Sequence, residues 1–584
     1  MSNFLSGYPS LQSLGARVKK NILTKTLVEP VIFFLLFIYF VFTRALGFHQ
    51  TYHQDEYKWA MIVDPVNGLR GTVPHPPLAE NLYHIAGRYF GYNHLRIVPI
   101  IVSLLLGVLI IYFVRKQYGR RAAIIAAGIF TITIYSVIAS IQIDIDGALL
   151  PFFVCAAIGS YEQIRLTASA GAQKKWAALF LVACIGGFFT KLSFVLVPVA
   201  ILCDVAPSLL GSLSLYKKRA ATFLWAAACC VVLGGIVVVL VLIRHAIFIE
   251  YVKNFVAFSH RDFQQEAIQI IKALIFSSPL IIGGVILGVR HFRQLRIWYY
   301  LIGASFLFYL VIFDFTHRTL DRYLMFIILP GSVIAGVALA HEIKSMRIVG
   351  SEARKFLLFL GSSIVVFGTL MHYLLRGTYE ILPFIPKSVF FEHVKNLNFS
   401  FLVPLTGGSG PAGFYLSARA LIIFWCLGLL SVAVILLKLH ARTIALAIFI
   451  SAGLIYNVYG DLELLTGAYF GSMSKVIEQT TDYVVNAGDI PGVITFNDTG
   501  TWQLEQAHKY IRRFYIHPMF AVGNTNFFRA FHGYFMIVDF PPIGTSGPYA
   551  EYFSGCAVVY HVQDKLISGS VYDCRKAPFT VKFQ

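Results

Sequence analysis

Charged residues are scarce in this chain: Asp, Glu, Lys and Arg together make up 13% of its 584 residues, about half their share in a typical soluble domain. Acids are the scarcer sign, with 29 Asp and Glu against 48 Lys and Arg, so the formal net charge is +19. Hydrophobic residues make up 57%, and they fall in runs of about 20, long enough to cross a hydrocarbon core. This composition excludes a soluble enzyme and a disordered chain, and it predicts a polytopic α-helical membrane protein.

Metal-binding spacings are also missing, because no CxxC pair or Cys/His pattern occurs in the sequence. Six of the eight cysteines lie inside apolar runs, where free cysteine behaves as a small buried hydrophobe. The other two, Cys556 and Cys574, lie in a polar C-terminal region and can form a disulfide if that region faces an oxidising compartment. We therefore predict no structural metal site.

The apolar runs predict about 13 transmembrane helices. The first run follows the basic segment 1–27 and is too long for the core of a signal peptide, so we expect an uncleaved helix that starts in the cytoplasm. Lys191 separates the fifth run from the sixth, and both of these are short. The predicted helices are 28–47, 95–114, 122–140, 146–163, 176–189, 191–204, 220–247, 268–289, 297–314, 322–342, 355–375, 418–437 and 443–459.

Lys and Arg concentrate in alternate loops, whereas many of the acids lie in the loops between them. Because cytoplasmic loops of membrane proteins are enriched in Lys and Arg, the basic loops mark the cytoplasmic side. This sorting accounts for much of the net charge, so we expect no nucleic-acid partner. It predicts a multi-pass protein of the cell membrane with a cytoplasmic N-terminus (1–27) and a transmembrane domain (28–459). The predicted outside loops are 48–94, 141–146, 248–267 and 376–417.

The last segment, 460–584, has a different pattern, in which short β-rich runs alternate with helix-like stretches. Gly, Pro and Asn stand between the runs as turn residues. We expect a small extracytoplasmic α/β domain here.

Two pairs of acids lie in the predicted outside loops. Asp55 and Glu56 follow the first helix, and Asp144 and Asp146 lie in a very short loop between the third and fourth helices. A carboxylate at the apolar boundary is expensive to bury without a partner, so such residues suggest a functional site. The alternatives are inert interfacial polarity for the first pair, and an N-cap of the fourth helix for one aspartate of the second pair.

Basic residues on the outside face form a second group. Lys191 lies at the junction of two short predicted helices. It is either a turn residue whose side chain reaches to water or a partner for a phosphate. Arg322 lies at the predicted outside start of a helix, where the enrichment of Lys and Arg on the cytoplasmic side predicts few basic residues. This exception indicates an anionic partner. His317, Arg318 and Tyr323 lie close to it in the sequence.

The order of these features resembles the GT-C membrane glycosyltransferases. The features are an acidic pair after helix one, Pro76-Pro77-Leu78 in the first loop, an Asp between helices three and four, Thr190-Lys191, and Arg322-Tyr323. The resemblance is to the superfamily of protein O-mannosyltransferases and the lipid A aminoarabinose transferase, with the RgtA/B/C/D-like branch closest. It covers about 28–340 and implies a GT-C-like fold.

The resemblance also implies roles for individual residues. Asp55 corresponds to the catalytic base, Glu56 lies beside it, and either Asp144 or Asp146 corresponds to a second functional acid. Relatives carry Glu-Lys before Pro-Pro-Leu where this chain has Pro74-His75, and a histidine can donate to a phosphate. The residues expected to bind the donor phosphate are Lys191, Arg322, His75 and Arg318. Those expected to bind substrate are Tyr57, Tyr323 and His317.

The implied function is transfer of a monosaccharide, a hexose or a pentose, from a polyprenyl-phosphate carrier to an acceptor on the extracytoplasmic face. The acceptor is a hydroxyl or phosphate of a lipid, glycan or protein, and the product belongs to envelope glycan, lipid or protein glycosylation. The reaction requires no cofactor; paired carboxylates can hold a divalent cation, but the spacing does not demand one.

The alternative function is a polytopic transporter or lipid flippase. The centres of the predicted helices carry almost no ionisable residues, whereas ion and proton pathways need such residues at depth. A third interpretation, a non-catalytic scaffold for an envelope assembly, leaves the two acidic loops unexplained.

Overall fold

The computed structural model describes residues 11–64, 76–211, 263–309, 321–346, 348, 351–383, 388–405, 410–516, 520–544 and 547–577. Most of these residues are helical. The helices up to the second gap in the described chain are α1 (Leu11–Phe48), α2 (Asp55–Val63), α3 (Pro77–Phe90), α4 (Ile97–Tyr118), α5 (Arg120–Ile132), α6 (Ile134–Ile141), α7 (Leu149–Leu166), α8 (Ala170–Thr190) and α9 (Leu196–Gly211). The later ones are α10 (Phe263–Gly288), α11 (Phe292–Leu307), α12 (Ile328–Ser345), α13 (Ser351–Leu375), α14 (Ser388–Lys395), α15 (Ala418–Leu436), α16 (Arg442–Thr466), α17 (Met473–Asn486), α18 (Thr501–Gln506), α19 (Ala521–Ala530) and α20 (Pro548–Ser554).

Seven segments of the described residues are long and apolar enough to cross a membrane. The number rises to eight if α5 and α6, which meet at an angle of 66°, form one broken span. The chain is therefore a multi-pass membrane protein. The predicted helix 220–247 lies outside the described residues, and the total of about 13 stays a prediction. The seven segments are Glu29–Phe48, Tyr92–Tyr118, Ala273–Leu307, Tyr323–Ser345, Ser351–Leu375, Ala418–Leu436 and Arg442–Thr466.

The spans differ in how much of their surface the protein itself covers. In α12, 83% of the apolar window is buried, so this helix lies at the centre and packs against α5 and α10. Its Gly336 lies so close to α5 that an added Cβ would lie 2.5 Å from the Cβ of Ala126, a close approach that small residues permit between membrane helices. In α13 only 11% of the window is buried, so most of its apolar surface faces lipid.

The sheets belong to the loops and to the C-terminal part. Strands β1 (Leu402–Leu405) and β2 (Phe414–Ser417) form an antiparallel pair within the segment 376–417. A five-stranded sheet has the order β4-β3-β5-β7-β6, with β3 parallel to both β4 and β5 and β7 antiparallel to β5 and β6. Its strands are β3 (Val493–Phe496), β4 (Tyr510–Phe514), β5 (Tyr534–Asp539), β6 (Ala557–Asp564) and β7 (Ile567–Asp573).

This sheet and its helices form the small C-terminal α/β domain that the sequence predicts. An aromatic cluster that includes Phe514, Phe528 and Phe553 fills one face of the sheet. A disulfide joins Cys556 and Cys574, at the start of β6 and just after β7. The domain contacts the membrane part through direct hydrogen bonds, which the next section describes.

Candidate active site

Glu56 lies at the centre of a network of hydrogen bonds. Its side chain is fully buried and forms a bidentate ion pair with Arg96, with Oε2–Nη2 2.6 Å and Oε1–Nε 3.0 Å. The same carboxylate accepts the backbone N–H of Ile143 at 3.1 Å and that of His53 at 3.2 Å. Glu56 therefore joins the segment after α1 to the loop that carries the second acidic pair.

Arg96 anchors this network, and sequence reasoning assigned it no role. It is buried, and it donates to the carbonyl oxygens of Gly47 and Thr51, each at 3.0 Å, and to that of Gln50. A buried guanidinium is tolerated when its donors and its charge are matched in this way. Its position in the sequence could have pointed to it. Like Arg322, Arg96 is a basic residue at the predicted outside start of a helix, where the topology rule predicts few Lys or Arg.

Asp55 is the accessible member of the first acidic pair. It begins α2, where a negative charge interacts favourably with the N-terminus of the helix. Its side chain is 25% exposed and forms an ion pair with Lys58, one helical turn later. Adjacent residues of one helix thus present a buried, ion-paired carboxylate and a solvent-accessible one.

The second acidic pair is buried on the other side of Glu56. Both carboxylate oxygens of Asp146 lie 2.6 Å from Nζ of Lys191. Asp144 accepts the N–H of Ile145 at 2.6 Å, and its carbonyl oxygen accepts the hydroxyl of Tyr83 at 2.8 Å. Neither aspartate caps α7: its N-cap residue is Ala148, and no side chain forms a capping hydrogen bond there.

Lys191 lies in the break between α8 and a short 3-10 helix, Leu192–Val195. It is buried, so it does not reach out to water. Beyond its ion pair with Asp146, its ammonium group lies 4.6 Å from the ring centroid of Tyr323, a cation–π distance. Two predicted site residues that are far apart in sequence are therefore in contact.

A small apolar groove, about 30 Å³ in volume, adjoins this ion pair. Its polar end is lined by Asp146, Ser193, Tyr309 and Tyr323, and Ser305 of α11 is a further polar lining residue. The rest of its wall consists of apolar side chains from α7, α9, α11, α12 and the two 3-10 helices Leu192–Val195 and Asp321–Ile327. The apolar lining residues are Leu150, Pro151, Val154, Phe194, Leu196, Val197, Leu301, Phe326 and Leu329.

The C-terminal domain contacts the site through β4. Arg513 donates to the hydroxyl of Tyr57 at 2.6 Å and to both carboxylate oxygens of Asp498 at 3.1 Å. Tyr57 is buried in this contact. On the adjoining helix α18, Trp502 donates to the side-chain oxygen of Asn93 at 2.6 Å. The domain thus contacts α2 two residues beyond Asp55.

Burial shifts the pKa of two residues that flank the acidic pair. Desolvation, followed by the nearby positive charge of Arg96, lowers the pKa of His53 to about 4. Desolvation, together with the charge of Asp498, raises the pKa of Tyr57 well above its usual value. At neutral pH both side chains are uncharged, so the fixed charges of this region are those of its carboxylates, arginines and lysines.

Some predicted site residues cannot be located. His75, His317 and Arg318 lie outside the described residues, and Arg322 is described in its backbone only, within the 3-10 helix Asp321–Ile327. Among the residues that are described, no group of three or more His, Cys, Asp or Glu is placed to hold a metal ion.

Known proteins resemble this chain in sequence or in fold. The family model described as dolichyl-phosphate-mannose-protein mannosyltransferase matches residues 74–243, a segment that contains Arg96, the second acidic pair and Lys191. No curated protein sequence matches the chain.

Two solved structures share the fold along nearly the whole chain. ArnT from Cupriavidus metallidurans in the apo state is 13% identical, and the match covers 94% of this chain and 98% of that one with a TM-score of 0.54. ArnT from the same organism bound to undecaprenyl phosphate is 14% identical, with 93% and 97% covered and a TM-score of 0.53. The predicted resemblance is confirmed: the chain has a GT-C membrane glycosyltransferase fold and resembles the group that contains the protein mannosyltransferases and ArnT.

Proposed function

We propose that the protein transfers a monosaccharide from a polyprenyl-phosphate carrier to an acceptor hydroxyl on the extracytoplasmic face. The observation that carries the proposal is the buried ion pair of Lys191 with Asp146 at the polar end of an apolar groove. Glu56 joins the loop of Asp146 to the helix that begins with Asp55, a partly exposed carboxylate. The family match and the undecaprenyl phosphate bound to ArnT support the same class of donor.

In this proposal Asp55 acts as the general base. It accepts the proton of the acceptor hydroxyl while that oxygen attacks the anomeric carbon, and the bond from this carbon to the phosphate oxygen breaks. The phosphate leaves with the electron pair of that bond. A positioned general base contributes roughly 10²–10⁴ in rate.

Lys191 stabilises the charge that develops on the leaving phosphate. Its ion pair with Asp146 and its contact with Tyr323 hold the ammonium group at the end of the groove. A preorganised donor of this kind contributes about 3 kcal/mol to transition-state stabilisation. The predicted partners Arg322, Arg318 and His75 would add to this positive charge.

The apolar groove is suited to the carrier. Its wall beyond Asp146 is almost wholly hydrocarbon and aromatic, and its volume is about 30 Å³, which matches only the part of an isoprenoid chain nearest to a phosphate at the polar end. In the part of the chain that the structure describes, no specific feature favours the alternative of a transporter or flippase. The buried ion pairs of the site connect loops at one end of the helices, whereas a transport pathway needs ionisable residues through the depth of the membrane.

The proposal includes an orientation. We infer that 1–27 is cytoplasmic, that 28–459 forms the transmembrane catalytic domain, and that 460–584 lies outside with the active site. The disulfide between Cys556 and Cys574 supports an oxidising compartment for the C-terminal domain.

The decisive test is sugar transfer by the purified full-length protein, supplied with a panel of polyprenyl-phosphate hexoses and pentoses and candidate acceptors. We expect Asp55→Asn to lower the rate of transfer by about 10²–10⁴ while the protein stays folded. Glu80→Gln is the matched control, because Glu80 is a half-buried acid on the adjacent helix α3. Transfer by Asp55→Asn within tenfold of wild type would contradict the base assignment.

A further inference from the structure

A second cleft lies at the junction of the membrane part and the C-terminal domain. Its volume is about 750 Å³, within the usual range for small-molecule sites. It is formed by the end of α13 with the segment that follows, the linker after α16, and the turn between β6 and β7. The residues that matter for its chemistry are His372, Arg376, Tyr379, Tyr469 and Lys565.

The charged side chains that line this cleft are both basic, and Lys565 also lies near enough to Glu463 and Asp564 to interact with their charges. Arg376 is exposed at its mouth, Lys565 contributes a second cation, and none of the described residues that line it is acidic. The ammonium group of Lys565 donates to the carbonyl oxygen of Gly467 at 2.7 Å and to that of Ala468. Since an ammonium group has three donors, one remains for an anion.

The position of the cleft indicates an amphiphilic ligand. Arg376 directly follows Leu375, the last residue of α13, whose apolar surface mostly faces lipid. A narrow, mostly apolar pocket between α13, α15 and α16 adjoins the cleft and shares Leu375, Tyr469 and Phe470 with it; the buried Glu463 also lines this pocket. A headgroup in the cleft would therefore have its hydrocarbon chains beside α13, at the level where that helix leaves the membrane.

The cleft is separate from the site at Asp55. On the face of α16 toward α1, Gln50 donates to the carbonyl oxygen of Leu464 at 2.9 Å, and the N–H of Thr51 donates to Ser474 at 2.9 Å. The linker from Gly467 to Ser472 lies between these contacts and the cleft, and Glu463 holds it by accepting the N–H groups of Tyr469 and Phe470 at 2.8 and 2.9 Å.

We propose that this cleft binds the phosphate headgroup of a membrane lipid in the leaflet where α13 ends. Arg376 and Lys565 contact the phosphate as charged donors, which are the stronger kind of hydrogen bond, and Tyr379 and Tyr469 border the headgroup. The proposal does not depend on the chemistry at Asp55.

Native mass spectrometry of the full-length protein tests the proposal. The protein is titrated with phosphatidylglycerol and, separately, with phosphatidylcholine, and retained lipid is counted. We expect preferential retention of phosphatidylglycerol by wild type, and a loss of roughly tenfold in its affinity for Arg376→Gln. Lys395→Gln is the control, because Lys395 is an exposed cation of α14 outside the cleft; this variant should bind like wild type.

Several results would overturn the proposal. Equal retention of the two lipids, or unchanged binding by Arg376→Gln, would exclude a site here that selects a phosphate headgroup of net negative charge. Full displacement of the lipid by millimolar inorganic phosphate would assign the cleft to a free anion instead. Because Arg376 is exposed, its replacement should leave the thermal unfolding temperature unchanged, and sugar transfer should persist, which separates this test from that of Asp55.

Discussion

At the scale of single residues, adjacent carboxylates on one helix have opposite environments. Glu56 is buried and accepts hydrogen bonds from Arg96 and from two backbone N–H groups, whereas Asp55 remains partly exposed beside Lys58. Because the oxygens of Glu56 already accept these hydrogen bonds, this carboxylate holds the loops together. The partly exposed Asp55 is the carboxylate to which we assign the role of general base in the proposed reaction.

The buried pair predicts a stability effect. Glu56→Gln removes the charge that compensates Arg96, and breaking a buried pair in this way typically costs about 3–5 kcal/mol. We expect a markedly lower unfolding temperature for Glu56→Gln, measured on purified protein in one detergent. Asp55→Asn should unfold close to wild type, and equal unfolding temperatures for Glu56→Gln and wild type would refute the anchoring role.

His53 predicts a dependence of stability on pH. Its pKa is about 4 in the folded protein and about 6.5 when unfolded, so above pH 6.5 it is neutral in both states. Below that pH the unfolded state takes up a proton that the folded state does not, and the free energy of unfolding falls by about 2 kcal/mol between pH 7.5 and pH 5.

The measurement is unfolding of wild type and His53→Gln at pH 7.5, 6.5 and 5. We expect the difference in unfolding free energy between the two proteins to shift in favour of His53→Gln as the pH falls. Parallel pH profiles for the two proteins would show that His53 does not carry this effect.

At the scale of elements, helix α2 is held from two sides. Arg96 at the start of α4 holds Glu56, and Arg513 on β4 holds Tyr57 while it also pairs with the buried Asp498. Gln54, directly before α2, has a positive φ of 47°. The position of Asp55 therefore depends on both the membrane part and the C-terminal domain.

Loss of the β4 contact should loosen α2. For Arg513→Gln we expect hydrogen exchange in the backbone of 55–63 to accelerate roughly fivefold, which corresponds to about 1 kcal/mol for a partly exposed pair. Arg512→Gln is the control, because Arg512 precedes it on the same strand and lies against Phe527 instead. Exchange in 55–63 that is equal in both variants would contradict the coupling.

At the scale of the whole molecule, orientation follows from where the charges lie. The Lys and Arg residues between α12 and α13 belong to a predicted cytoplasmic loop, and the C-terminal domain is predicted to lie on the opposite side. The disulfide lies in that domain. Orientation is a property of the whole chain, because one wrongly placed membrane span would move every later loop to the other side of the membrane.

Cysteine labelling measures this orientation. Lys475→Cys, in the C-terminal domain, and Lys355→Cys, near the start of α13, each replace an exposed lysine. An impermeant maleimide should label Lys475→Cys in intact cells and Lys355→Cys only after the membrane is permeabilised. Wild type reports labelling of the native cysteines, and the reverse pattern would invert the orientation.

The amino-acid sequence alone determined that the chain crosses the membrane many times, and it singled out Asp55, the pair Asp144 and Asp146, and Lys191. It could do so because the length of an apolar run and the rarity of charge at its boundary are local properties of the chain. The resemblance to GT-C glycosyltransferases rested on the order of such features, and the fold along the chain confirms it.

Only the tertiary structure decided which charges are paired. Arg96 reaches Glu56 across 40 residues and Arg513 reaches Tyr57 across 456, and no local pattern encodes such a separation. Partners of this kind are selected by burial, since a charge removed from water must find its counterpart wherever the fold brings one. For the same reason Asp55 and Glu56, equivalent by position in the sequence, differ in exposure once the chain has folded.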